Sequence, residues 1–216
     1  MGTTLLEFRT AVKQKLSTVG ITTFYSDVML NQWINDAGKQ VTDFDMWDAT
    51  RHALKIISTA TEYYQYPSRF KKNSIFRVTG GTGVDEKEYD VIDWDLFREH
   101  RELEDEFECA SQLGDQWFIY PQPAVGTTLG IYGFLKWANL TGDTSESILP
   151  EMFDVSIVQL AVAAALKKER RYDEAGAEIK GVIGDGGLLI MMKINQNKQK
   201  PRGYIGRVRA PKFDRK

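Results

Sequence analysis

Pro150–Arg171, PEMFDVSIVQLAVAAALKKERR, is the stretch whose reading decides the fold. From Val155 to Leu166 only Ser156 and Gln159 are polar. A surface helix carries polar residues around about half its circumference, so one that is apolar nearly all round is buried on most sides. The run is too short to span a membrane, which takes about 20 apolar residues. Pro150 suits a first helical turn, where its missing N–H is not needed. Glu151 and Asp154 fall at the positive end of the helix dipole, and Lys167, Lys168, Arg170 and Arg171 at the negative end. Alanines at 161, 163, 164 and 165 let neighbouring backbones come close. The stretch reads as the central helix of a bundle, with Phe153, Ile157, Leu160 and Ala164 as core and subunit-packing candidates.

Helices flank it at a distance. Thr4 and Glu7 fit a capping box, followed by Leu5, Phe8, Val12, Leu16 and Val19 at helical spacing. Gly20 ends that helix, and Ser26-Asp27 caps a second with Leu30, Trp33, Ile34, Ala37, Val41 and Phe44 on one stripe. Asp173–Val182 continues as helix, Gly184, Gly186 and Gly187 interrupt it, and Leu188–Ile194 resumes. Between the two helical regions the pattern is β. Ala53–Ala60 and Ser74–Thr79 read as strands, Phe107–Leu113 and Gln116–Tyr120 as a hairpin, and Thr128–Asn139 as a longer strand. Ile131, Phe134 or Leu135, and Trp137 are available to a sheet core, and Asp93 caps a short helix at Trp94–Phe97. The expected class is α+β. A helical bundle (1–50 and 148–194) carries an inserted antiparallel sheet or sandwich (51–147) and an extended basic C-terminal arm (195–216).

Charge is unevenly spread. Of 28 basic and 30 acidic residues, nine and one fall in 193–216, net +8, leaving 19 and 29 in the body, net −10. Cys109 is the single cysteine, so no internal disulfide can form, and no segment reaches membrane-spanning length. The tail carries Tyr204, Ile205, Val208 and Phe213 among its charges. Phosphate binding requires only charge; four apolar residues favour an arm that docks on a protein partner.

Signs of catalysis are weak. His52 and His100 have no Cys or second His at metal-ligand spacing, and no GxSxG elbow is present. Gly181–Gly187 lacks the Gly-Lys-Ser/Thr ending of a phosphate loop and reads as a helix break. The acids Glu99, Glu102, Glu104, Asp105, Glu106 and Glu108 read as a solvated face rather than a glycosidase pair. No metal or cofactor is expected.

The order of features resembles the head–tail connector, or neck adaptor, proteins of tailed bacteriophages. The likeness lies in Trp33 on the second helix of the N-terminal hairpin, Tyr66-Pro67, YDVIDWDLF at 89–97, WFIYPQP at 117–123 and ILPEMFDVSIVQLAVAAAL at 148–166. It extends over residues 3–195. It implies a non-enzymatic subunit that forms a ring, usually of twelve, on the portal ring. Such a ring extends the DNA channel, lets DNA pass unbound, and gives tail or tail-completion proteins their attachment site. It implies a place in the neck of the virion, assembly in the host cytoplasm and no membrane partner. The portal-docking arm would be carried by Lys200, Arg202, Tyr204, Ile205, Arg207, Val208, Arg209 and Phe213. Trp117, Tyr120 and Trp137 are candidates for subunit interfaces, or else for the sheet core. The competing readings are a tail-completion or tail-tube protein and a nucleic-acid binder acting through the basic tail.

Overall fold

The structure, a computed structural model, describes residues 2–21, 25–81, 86–103 and 107–199. Helix α1 is Leu5–Thr18 and α2 is Asp27–Phe44. The Thr4 hydroxyl accepts from the Glu7 N–H and the Glu7 carboxylate accepts from the Thr4 N–H at 2.7 Å, completing the capping box. The Thr4 N–H, and with it the Thr4 hydroxyl, which also donates to Glu7 Oε2 at 2.7 Å, holds the Glu7 carboxyl below its ordinary pKa. Ser26 caps α2 by accepting from the Met29 N–H.

Helix α3 is Trp94–Glu102, and the decisive stretch forms a short turn, Glu151–Phe153, followed by α4, Asp154–Lys168. Residues 156–166 are all buried except Gln159 and Ala164, which are half-buried. Helices α1, α2 and α5 (Tyr172–Ile183) pack around α4. Each fully buried Ile, Leu or Val there contributes about 1.5–3 kcal/mol. The small Ala161, Ala163 and Ala165, almost without exposure, permit close approach on several sides at once. The chain turns sharply after α4. Arg170 takes a left-handed φ of 62°, and the Arg171 N–H returns to the Leu166 carbonyl at 2.9 Å. Helix α6, Leu188–Gln199, follows the glycine break and runs further than Ile194, so 195–199 are helical.

Strands are β1 Arg51–Ile57, β2 Tyr63–Gln65, β3 Arg77–Gly80, β4 Lys87–Val91, β5 Cys109–Leu113, β6 Gln116–Tyr120 and β7 Thr128–Phe134. They form one sheet in the order β1-β7-β3-β4-β5-β6-β2. It is not wholly antiparallel, because β4 and β5 run parallel. The residues between them hold α3, and such a crossover brings the chain back in the same direction. Nor is it a sandwich. The consecutive strands β1 and β2 lie at opposite edges, joined by residues 58–62 alone. A flat seven-stranded sheet would separate its edges by about 29 Å, more than the roughly 20 Å such a link can reach. The sheet therefore curls until its edges meet: the Ser58 and Tyr64 hydroxyls hydrogen-bond at 2.8 Å. Val78, Tyr89, Ala110, Trp117, Ile119, Leu129 and Ile131 fill the enclosed face.

Trp137 lies beyond β7 and fills the bundle rather than the sheet. Its ring lies against Gly38 of α2, where a Cβ would overlap it, and its Nε1 donates to Asn35 Oδ1 at 3.0 Å. An exposed helical Gly→Ala change stabilises by about 0.5–1 kcal/mol. At Gly38 the sign inverts: Gly38→Ala is expected to destabilise by about 1–3 kcal/mol through overpacking, read as a lower urea midpoint. A stabilised variant would contradict this packing.

Candidate interaction surfaces

The root of the basic arm is firmly placed. On α6, Leu189 is buried and Met192 packs on the bundle core. Lys193 pairs with Asp45 at 3.3 Å, and Gln196 accepts from the Asp48 N–H at 3.0 Å and donates to the Met46 carbonyl at 3.2 Å. All three contacts fall on the segment that joins α2 to β1. Met191 and Ile194, on the outward side of α6, are exposed. The arm residues Lys200, Arg202, Tyr204, Ile205, Arg207, Val208, Arg209 and Phe213 lie outside the described residues.

The same junction holds Lys71. Although Arg69 and Lys72 flank it in sequence, it is turned inward. Its Nζ donates to the Thr42 carbonyl in the last turn of α2 and to the Asp45 carbonyl at 2.7 Å. A cation there satisfies carbonyls that a helix end leaves unpaired. Burial lowers its pKa, against the opposing pull of Asp43 and Asp45.

The four core candidates separate. Phe153, Ile157 and Leu160 are buried within the chain, with Phe153 edge-on to Trp47 at 4.9 Å, while Ala164 is half-buried. Two of the three interface aromatics are buried and none is exposed. Trp117 fills the sheet core and donates to the Gln65 carbonyl at 3.2 Å, Trp137 fills the bundle, and Tyr120 is half-buried beside Phe97 and Phe118. Their size drew them into cores where each indole N–H finds an acceptor. The apolar groups left outside are others. Met152 lies in the turn before α4, Val155 in the first turn of α4, and Tyr172 opens α5. Ile57 and Val125 share one end of the sheet, where the Gly126 N–H donates to the Ser58 carbonyl at 2.9 Å. Helical period alone does not distinguish these from core positions.

Of the residues with catalytic chemistry, His52 is exposed on β1, and His100 stacks on Phe107 at 4.4 Å. Glu99 and Glu102 are exposed on α3, and Glu108 pairs with Lys87 at 2.6 Å. Glu104, Asp105 and Glu106 lie outside the described residues. No group of three or more His, Cys, Asp or Glu among the described residues is placed to hold a metal, and no described helix is long and apolar enough to cross a membrane.

The described surface offers individual exposed apolar side chains and, in α6, a fixed root for the basic tail. A family model described as SU10 adaptor protein matches residues 3–181, and the chain belongs to that family of phage structural adaptors. A search of curated proteins gave no match. Membership makes the chain a structural protein of a bacteriophage particle.

The bundle itself has a titration signature. Tyr25, just before α2, donates its hydroxyl to Glu169 at the end of α4 and packs edge-on to Trp33 at 5.0 Å. Burial, with the Glu169 hydrogen bond and charge behind it, pushes the phenol up to about 12. A native pKa above the unfolded value gives stability that is present below about pH 10 and lost towards pH 12. Tyr25→Phe should therefore lose less stability than the wild type between about pH 9 and about pH 11, measured as urea midpoints. Parallel losses would refute the assignment.

Proposed function

We propose that the chain is a head–tail connector, or neck adaptor, subunit without catalytic activity. It docks on the portal ring, forms a ring of its own that matches the portal's twelve subunits, extends the DNA channel and gives the tail its attachment site. It stands in the neck of the virion and is assembled in the host cytoplasm. The observation that carries this reading is the family match over residues 3–181.

Charge supports it. A body of net −10 repels DNA phosphates, which suits a channel that DNA must cross without binding. The residues 1–50 and 148–194 act as one helical unit, and 51–147 as an inserted unit that meets tail components. Each has its own apolar core, although Trp137 and Leu140 lend themselves to the helical one. Lys200, Arg202, Tyr204, Ile205, Arg207, Val208, Arg209 and Phe213 form the portal-docking arm, which α6 delivers from a fixed root. Of the four packing candidates, Phe153, Ile157, Leu160 and Ala164, the last has surface left to meet a neighbouring subunit.

The test mixes portal rings of the same phage with the full chain or with a chain ending at Gln199, which keeps α6 whole. Electron microscopy and sedimentation should show a second ring with the full chain and none with the shortened one. Self-assembly without portal binding by either chain would point to a tail-completion or tail-tube protein. Salt-sensitive DNA retardation by the full chain, without portal binding, would point to a nucleic-acid binder.

A further inference from the structure

The sheet opens between β3 and β5. Strand β4 pairs with β3 through Lys87–Tyr89, but with β5 at Asp90 and Val91 alone. Its last rung is the Ile92 N–H to the Ala110 carbonyl at 2.9 Å, after which the chain leaves for α3. Beyond that rung β5 runs on through Ser111–Leu113. Ser111 and Gln112 line a cavity of about 420 Å³ together with Asn73 and Ile75, which lead into β3. Strands separated by one intervening strand stand about 9–10 Å apart, so the opening is one strand wide. A side chain bridges it in place of a backbone rung: Gln112 Oε1 accepts from the Asn73 N–H at 3.2 Å.

The polar groups at this opening are those an added strand would pair. The Glu108 and Ala110 carbonyls accept from β4, and strand alternation turns the peptide groups of Gln112 to the same side. The Ser111 hydroxyl is buried at 3% exposure and has no hydrogen-bond partner. Buried hydroxyls are nearly always bonded, so this one marks a place where a ligand's polar group belongs.

The lining specifies the ligand. Val78 and Trp117, of the enclosed sheet core, form the inner side. The Trp94 ring and Asp93 belong to the outer side, with Asp90 and Asp95 next to lining residues in the chain. All three carboxylates are exposed, and no ion pair among the described residues engages them. The cations of α3 are taken elsewhere, Arg98 by Glu102 at 3.7 Å and Arg101 by Glu62 at 2.9 Å, and Lys72 pairs with Asp115 at 3.1 Å. Successive side chains of a strand point to opposite faces. A strand laid here therefore needs apolar groups towards Val78 and Trp117, and cations towards the Trp94 ring and the carboxylates.

We propose that the β3–β5 cavity is a docking site for an extended segment of a partner protein in which apolar and basic side chains alternate, added to β5 as a strand. The site does not depend on portal docking, and its test needs no portal.

The probe is an acetylated, amidated hexapeptide of alternating valine and arginine, titrated into the full chain by calorimetry. It should bind several-fold more tightly than the valine–glutamate peptide, and than the same valine–arginine peptide N-methylated at every second residue, which cannot donate along one edge. Asp93→Asn with Asp95→Asn should weaken it several-fold; both residues are exposed, and Asp93 makes no side-chain capping bond to α3. Glu151→Gln, on the helical bundle, should not. Bound peptide should slow hydrogen exchange of the Gln112 N–H several-fold. Equal binding of the N-methylated peptide would reduce the effect to attraction by an acidic body and overturn the proposal. Failure of the valine–arginine peptide to bind, or binding that leaves Gln112 exchange unchanged, would overturn it as well.

Discussion

A helix that is apolar nearly all round must be covered on most sides by something other than water, and α4 is such a helix. The covering comes from both ends of the chain: α1 and α2 from the N-terminal part, α5 from the part that follows. The β-strands therefore leave the bundle after α2 and must return before α4. The return is tied down closely. The Leu5 N–H donates to the Ser145 carbonyl at 3.0 Å, Arg9 pairs with Asp143, and Asn35 binds both the N–H and the carbonyl of Leu140. Thr3 donates to Asp154 at the start of α4, where burial raises the carboxyl's pKa.

The second constraint is topological. With β1 and β2 at opposite edges and only residues 58–62 between them, the sheet has to curl. Curling gives it an enclosed core of its own. Among the described residues, Lys71 and the segment around Trp137 join the helical core to the sheet. Helix α6 is fixed to that same junction through Asp45 and the Asp48 N–H.

Much of this was legible in the sequence, for physical reasons that differ by element. Thr4 and Glu7, the Gly114-Asp115 hairpin and the apolar run of α4 follow from local chemistry and were read correctly. Strand β4, KEYDV, was not, because Tyr89 is its one buried residue and leaves no alternation to see. Three-residue β2 is too short to show a period. The turn at Arg170 carries no glycine to announce its positive φ. Trp137 fills the bundle rather than the sheet because long-range partners, Gly38 and Asn35, decide its place, and the inward turn of Lys71 likewise depends on the distant end of α2. The interaction surfaces were the least legible part, since an exposed Met or Val at helical spacing looks like a core residue until the neighbours are known.

Native-state amide hydrogen exchange along α4 tests the organising role of that helix most directly. If its own chain covers it on most sides, the amides of residues 157–166 exchange only through global unfolding, with the largest protection in the molecule. Exchange of those amides through a smaller opening, while the sheet stays protected, would contradict the account.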